Sequence, residues 1–310
     1  MNFTLLSSFR AVMTSANLSE AANKLGRTQP AVSAAIKTLE EQLGLKLFDR
    51  VGRRMVPVPE AQYLLAEAEE ILSRLERVRL TIRGLVDEKT GNLTVAAMPG
   101  PVSALFPRFI AEFLDPDADV NVSLAARTSA QIAELARAQN IDFGFADYPE
   151  HAESETLFEA ELLTGACFVA VPRTHRLAQV EAVSLRDLAG LPMGTLPQAH
   201  QHQKEVTAAF ALQKLSQKVS VECQTFHPIL QFIGCGRCFA IVDPLTVAHV
   251  QLSPEIGKDV AIRPLSEPLL YRYAMISPRY RPTSALAERL KSAWKEEVER
   301  ILDAFSAVQD

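Results

Sequence analysis

The chain has 310 residues, 48% of them apolar and 22% charged, with a formal net charge of −5. That length is too great for one ordinary core and divides into two or three domains, the composition excludes a disordered chain, and no apolar run is long enough to cross a membrane. The first residues lack the basic start, apolar block and cleavage site of a secretory signal, and four cysteines in so long a chain make no disulfide framework, so a reducing cytoplasm is expected.

Charge is uneven along the chain. Residues 1–58 hold eight Lys or Arg against four Asp or Glu, a local balance of +4, which leaves −9 for the rest. A basic head on an acidic body points to a polyanion as partner of the head. Phe3, Leu5, Leu6, Phe9, Val12 and Met13 predict a first amphipathic helix. Ser19 is placed to cap a second, 20–25, which Gly26 ends, and Thr28 to cap a third, with Gln29 and Pro30 in its first turn. In this third helix Val32, Ile36, Leu39 and Leu43 form an apolar stripe. The other face carries Gln29, Ser33, Ala34 and Lys37, short polar groups suited to entering a groove.

Two helices joined by Gly26-Arg27-Thr28 form a helix-turn-helix, whose second helix lies in the DNA major groove. Gln29 is suited to pair with adenine and Ser33 to accept or donate. Lys37 and the hairpin arginines Arg50, Arg53 and Arg54 are placed to meet phosphates, with Thr28 and the free N–H groups of the helix start as a further phosphate site. Residues 59–89 predict one long helix. Leu64, Ala68, Ile71, Leu75, Val78, Ile82 and Leu85 alternate in steps of four and three, the seam of a coiled coil about 40 Å long. A second copy of the chain is the expected partner of so narrow a seam, and a dimer would present two recognition helices about one DNA turn apart.

The run AANKLGRTQPAVSAAIKTLEEQLGLKLFDR resembles the N-terminal signature of LysR-type transcriptional regulators, with A-A-x-x-L, T-Q-P-A-V-S, L-E and L-G-x-x-L-F-x-R in order. The resemblance implies an α/β protein with three parts: a winged helix-turn-helix (1–58), a dimerising linker helix (59–89) and a two-lobed, doubly wound effector domain of the periplasmic-binding type (90–310). Ala34 stands where many members have Arg, and residues 58–62 depart from the family's L-T-x-A-G. The segments AAMPGPVSALFPRFI, AIVDPLTV and RPTSALAERL are most similar to the lysine-biosynthesis regulator and its octopine and nopaline relatives. That likeness implies an amino acid or amino-acid derivative as effector. Homodimers or homotetramers, a double-stranded operator and RNA polymerase are the other candidate partners; no cofactor is expected.

From residue 90 the pattern alternates between strands and helices, with strands predicted at 93–98, 120–127, 142–146, 166–172, 218–223, 238–243 and 271–277. This reads as parallel doubly wound sheets with ligand sites at the carboxyl ends of strands. Crossovers near 162–165 and 266 divide a first lobe (90–163 and 266–310) from a second (164–265). An amino acid needs donors for its carboxylate and an acceptor for its ammonium. Pro99, Gly100 and Ser103 follow the first strand, Thr128 and Ser129 open a helix, and these starts are suited to an anion. Asp147 after its strand is suited to an ammonium. Thr195, Thr225, Phe226 and His227 lie just beyond strands of the second lobe.

Cys235 and Cys238 form a C-x-x-C that raises a thiol redox sensor as the alternative, although the motif follows a helix rather than opening one. His200-x-His202 lacks a metal partner set. A periplasmic solute-binding protein would need a signal peptide and no basic head. An enzyme would need a nucleophile with its base or a dinucleotide fingerprint, and the sequence carries neither, so no enzyme is expected.

Overall fold

The computed structural model describes residues 1–51, 54–84, 90–150 and 152–306; Arg53 and Leu85 of the expectations above lie outside them. The chain forms two units, Met1–Arg83 and Gly84–Asp310.

In the first unit, α1 (Phe3–Met13), α2 (Leu18–Lys24) and α3 (Gln29–Leu43) close around Leu5, Phe9, Val12, Val32, Ile36 and Leu39. The cap of α2 is Asn17 rather than Ser19. Asn17 Oδ1 accepts the Glu20 N–H at 2.9 Å, and the Glu20 carboxylate accepts the Ala16 N–H at 2.9 Å, a near-reciprocal closure that only the residue three before Glu20 can begin. Thr28 is the N-cap of α3 but makes no side-chain cap bond. Leu43, expected on the apolar stripe, is half-exposed, and Ala35 is buried in the stripe instead. Gly44 ends α3 at φ 69°, a left-handed turn that costs glycine little. The Glu40 carboxylate then accepts the Leu47 N–H at 2.7 Å, tying α3 to an antiparallel hairpin of β1 (Phe48–Val51) and β2 (Arg54–Pro57), in which Arg50 faces Met55.

The predicted long helix is α4 (Pro59–Gly84). Its first turns belong to the head: Ala61, Ala68 and Leu72 are buried there, and Leu64 packs partly against them. Leu72 lies outside the predicted seam because the head meets a neighbouring stripe. Beyond it the seam opens to solvent, with Ile71, Leu75, Val78 and Ile82 at 48, 39, 49 and 58% exposure.

In the second unit, β3 (Thr90–Ala97), α5 (Pro99–Ala104), α6 (Phe106–Phe113), β4 (Asp119–Ala126), α7 (Ser129–Arg137), β5 (Phe143–Asp147) and β6 (Phe158–Ala166) build a first lobe. The second lobe follows as β7 (Phe168–Pro172), α8 (Leu185–Leu188), β8 (Pro192–Thr195), α9 (Gln201–Leu212), β9 (Lys218–Glu222), α10 (Phe226–Gly234), β10 (Ala240–Val242), α11 (Pro244–Leu252), α12 (Pro254–Gly257) and β11 (Val260–Pro264). The chain returns to the first lobe through β12 (Leu270–Pro278) and ends in α13 (Ala285–Ser306).

The sheets are mixed rather than wholly parallel. In the first lobe the order is β4-β3-β5-β12-β6, with β3 parallel to both neighbours and β12 antiparallel to both of its own. In the second, β7 lies antiparallel between β10 and β11, and a parallel pair, β8 and β9, joins through a bridge of Met193 to Phe239. The antiparallel strands β6 and β12 carry the chain out of and back into the first lobe. Residues 162–165, expected as a hinge, lie inside β6 and pair with β12, Leu162 against Ala274 and Gly165 against Tyr271. The first crossover falls instead at Cys167, while the second, 265–269, includes Ser266. Gly165 is needed where α13 and the start of α11 press on β6, since a Cβ there would meet Leu302 at 2.5 Å and Pro244 at 2.8 Å. The core beneath the first-lobe sheet centres on Trp294 of α13, stacked on Phe106 at 4.4 Å and edge-on to Phe145 at 5.7 Å. No helix among the described residues is long and apolar enough to cross a membrane.

Candidate functional site

Two surfaces gather the predicted site residues. On α3, Thr28, Gln29, Pro30, Ala34 and Lys37 are exposed and Ser33 is half-buried, all opposite the stripe of Val32, Ile36 and Leu39 that holds the helix to the core. Gln29 accepts the Ser19 hydroxyl at 3.3 Å. That bond uses only the amide oxygen and leaves the NH2 group for a partner. Among the described residues Lys37 meets only Glu41, at 3.6 Å and on the surface, a contact weak enough to exchange for a phosphate. Because Thr28 makes no cap bond, the first N–H groups of α3 stay free as well. The backbone of Arg50 and Arg54 is fixed by the hairpin that follows.

The second surface is a cleft of about 890 Å³ between the two lobes. Pro99, Gly100, Ser103, Thr128, Ser129 and Asp147 line it from the first lobe, and Thr225, Phe226 and His227 from the second. Thr195 is not among its lining residues: it is buried, with its hydroxyl toward the Val221 carbonyl at 3.5 Å.

Asp147 is the best-connected group in the cleft. Its Oδ1 accepts the Tyr271 hydroxyl at 2.6 Å, and its Oδ2 accepts the Ser129 hydroxyl at 2.7 Å and faces His200 Nε2 at 3.3 Å. Burial works to raise its pKa, but the hydrogen bond and charge of His200, with the hydroxyls of Ser129 and Tyr271, outweigh burial and hold the carboxyl below its usual range. Burial, then the charges of Asp147 and Asp243, push the Tyr271 phenol well above its ordinary value, so it stays a donor. Asp147 was expected to wait for an ammonium. Three protein donors already meet it, and a ligand's ammonium reaches it only as a fourth donor or by displacing His200.

The helix starts also divide differently from expectation. Thr128 accepts the Gln131 N–H at 3.3 Å while Gln131 accepts the Thr128 N–H at 3.1 Å, so α7 is capped by its own chain. Ser103 is the fifth of six residues in α5, not its start, and its hydroxyl is spent on the Pro99 and Gly100 carbonyls at 2.5 and 3.1 Å. The second lobe presents the opposite condition. Neither His200 before α9 nor Thr225 before α10 makes a side-chain cap bond, and both helix starts border the cleft. Their first N–H groups and positive dipole ends favour an anion there.

Lys204, Glu205 and Tyr271 carry no motif in the sequence and His200 stands out there only in His200-x-His202, yet His200, Lys204 and Glu205 hold the lobes together. His200 meets Asp147, Lys204 meets Glu150 at 3.0 Å, and Glu205 meets Arg272 at 2.5 Å, all from α9 or its cap to the first lobe or its returning strand. The three share only the i, i+4, i+5 spacing of charges, which does not say what they face. His227 Nδ1 lies 3.3 Å from His249 Nε2, and no group of three or more His, Cys, Asp or Glu among the described residues could hold a metal ion.

All four cysteines are free thiols. Cys235 is exposed just after α10, whereas burial, with the nearby Cys223, pushes the Cys238 thiol up to about 11. A thiol so protonated at neutral pH is the reverse of what a redox switch needs. The redox alternative is not favoured.

The chain matches two family models, the bacterial regulatory helix-turn-helix protein, lysR family, over residues 3–62, and the LysR substrate binding domain over 87–299. It is 29% identical to the octopine catabolism/uptake operon regulatory protein OccR of Rhizobium meliloti over 86% of either chain. It is 28% identical to the regulatory protein NocR of Agrobacterium fabrum over 98% of this chain and 96% of that one. Full-length CbnR complexed with its target DNA shares the fold at a TM-score of 0.63 and 21% identity, over 97% of this chain and all of the other. Helix-turn-helix, long helix and two-lobed domain thus recur in their expected order, and the chain belongs to the LysR family of DNA-binding transcriptional regulators, with an effector-binding domain behind its helix-turn-helix.

Proposed function

We propose that the protein is a cytoplasmic regulator whose hold on its operator, or whose assembly on it, is set by an amino acid or amino-acid derivative bound between the lobes. The observation that carries this reading is the polar asymmetry of the cleft: two uncapped helix starts, of α9 and α10, on one lobe and the carboxylate of Asp147 on the other. The carboxylate of such an effector is taken by the second lobe, where the N–H groups of α10 lie beside Thr225 and His227. Its ammonium is drawn to the acidic wall of the first lobe, in competition with His200. A ligand touching both lobes favours one lobe arrangement over another, and only that difference in affinity can reach the operator.

The relatives support the effector class, since OccR is by its description a regulator of octopine catabolism and uptake. Gln29 and Ser33 read bases, while Lys37, Arg50, Arg53 and Arg54 hold phosphates. The exposed seam of Ile71, Leu75, Val78 and Ile82 takes the same helix of a second copy. A thermal-shift screen of amino acids and opine-like conjugates tests the reading, because a ligand that binds only the native state raises its melting temperature. One that does so is then titrated in its presence and absence against operator duplex. If none of the compounds that bind alters operator affinity or assembly, the reading is wrong.

A further inference from the structure

On the second-lobe wall of the cleft three polar side chains stand in a line. His227, in the first turn of α10, is exposed and lines the cleft, and its Nδ1 lies 3.3 Å from Nε2 of His249, in the last turn of α11. His249 is half-buried and lines the cleft as well. The other nitrogen of its ring, Nδ1, lies 3.3 Å from the hydroxyl of Ser253, the residue that ends α11. Both contacts stand at the long end of the hydrogen-bond range.

Two ring nitrogens that face one another constrain their protons. One must donate and the other accept, because two hydrogens or two lone pairs there would repel. Burial, then the charge of His227, lowers the pKa of His249, and no other charge among the described residues contributes. His249 is therefore the neutral member of the pair and the acceptor. Its second nitrogen then carries the hydrogen, which Ser253 accepts, since a hydroxyl serves as either donor or acceptor. With both nitrogens of His227 protonated, every bond in the line is made at once: His227 Nδ1–H donates to His249 Nε2, His249 Nδ1–H donates to Ser253 Oγ, and His227 Nε2–H is left for a group in the cleft.

We propose that His249 and Ser253 are positioning residues that hold His227 as a cationic contact for a carboxylate in the cleft, so that an anionic effector is bound together with a proton. The proposal rests on the reading of the cleft given above, with the effector's carboxylate on the second lobe. Each other charged residue described in the cleft wall already has a partner. Asp243, at the cap of α11, holds Thr246 and Tyr273, while Glu134 and Glu155 meet Arg137, Glu150 meets Lys204 and Asp147 meets His200. His227 is thus the group of this wall whose charge can answer that of the ligand, and ligand and proton favour one another's binding.

The test is calorimetry on the full-length protein with the tightest-binding carboxylate from the amino-acid and opine screen, run at pH 7.5 in phosphate and in Tris, whose unequal heats of ionisation count the protons taken up. A free histidine is mostly neutral at that pH. His200 also titrates in this cleft, so the quantity read is the difference between wild type and variant. Wild type should take up about half to one proton per chain more than His227→Gln, and between pH 7 and 8 its affinity should fall by up to about tenfold, more steeply than the variant's. His249→Phe removes the acceptor and should lose the excess uptake, whereas His249→Gln, whose amide oxygen still accepts from His227, should keep it; a merely structural role for His249 would leave the proton count unmoved. Should the half-buried His249 variants fail to fold, the exposed His227→Gln decides alone. Equal uptake by wild type and folded His227→Gln overturns this proposal while the ligand still binds, and a screen without a binder overturns the reading beneath it as well.

Discussion

The head and the cleft treat their polar groups in opposite ways. On α3 the amide of Gln29, the end of Lys37 and the first N–H groups are left to solvent or to weak contacts, whereas in the cleft Ser129, Tyr271 and His200 are bonded to Asp147 before any ligand arrives. The head can be altered at no cost to its fold and at full cost to its partner. The first-lobe wall of the cleft cannot, because a ligand contact to Asp147 is an exchange against donors the protein already has, and it is the uncapped starts of α9 and α10 that are left open.

The largest effect is expected where an exposed surface has the most to lose. Leu75→Asp sets a charge in the open seam of α4 and should turn a dimer into a monomer with its helix content intact, which sedimentation and circular dichroism report together. A folded variant that stays dimeric would show the seam is not the main contact. In the cleft, Asp147→Asn should cost stability and effector binding at once, each on the order of 1.5 to 3 kcal/mol, because a charge-assisted network is lost. Chemical denaturation beside calorimetry with the screened effector separates the two, and a loss in binding alone would mean the network is idle before ligand arrives.

The same network has a pH signature. Asp147 titrates lower folded than unfolded, so its stabilisation is complete above the unfolded carboxyl value, about 3.9, and disappears as pH falls through the lower folded value. The stability gap between wild type and Asp147→Asn should therefore be constant from pH 7 to about 5 and narrow below about 4. A gap that widens in acid reverses the sign. Smallest in stability is Gln29→Ala: less than about 0.5 kcal/mol on folding, as for an exposed site, yet about 1 to 3 kcal/mol on the matched operator and little on scrambled duplexes. Equal losses on every duplex would remove Gln29 as a base reader.

Much of this was legible where the physics is local. The apolar stripe of α3, the hairpin after it and the seam of α4 all follow from spacing, and the Asn-x-x-Glu of 17–20 carries the cap at Asn17 as well. Three strands were not read. β6 carries Glu159 and Glu161 on exposed positions, β8 has four residues and begins with Pro192, and β11 ends in Arg263 and Pro264, so none shows a long apolar alternation. The cleft was half legible. Residues after strands and at helix starts were placed, because topology puts ligand sites there, but which starts are free turns on the residue three further on: Gln131 gives its N–H to Thr128, whereas Pro228 has none to give Thr225. His200 and Tyr271 come to Asp147 from 53 and 124 residues away, a meeting that only the folded lobes bring about.

The three ion pairs of α9 have a consequence for how the regulator responds. His200, Lys204 and Glu205 sit within about two turns of one helix, which moves as a bar, so the lobes cannot part at one pair and stay joined at the others. Each pair is modest alone. Lost together, they set a threshold: small excursions of the lobes are pulled back, and a signal that breaks one pair has broken all three. Such a hinge has two positions rather than a range in any one molecule, and a ligand held between the lobes changes the share of molecules in each position.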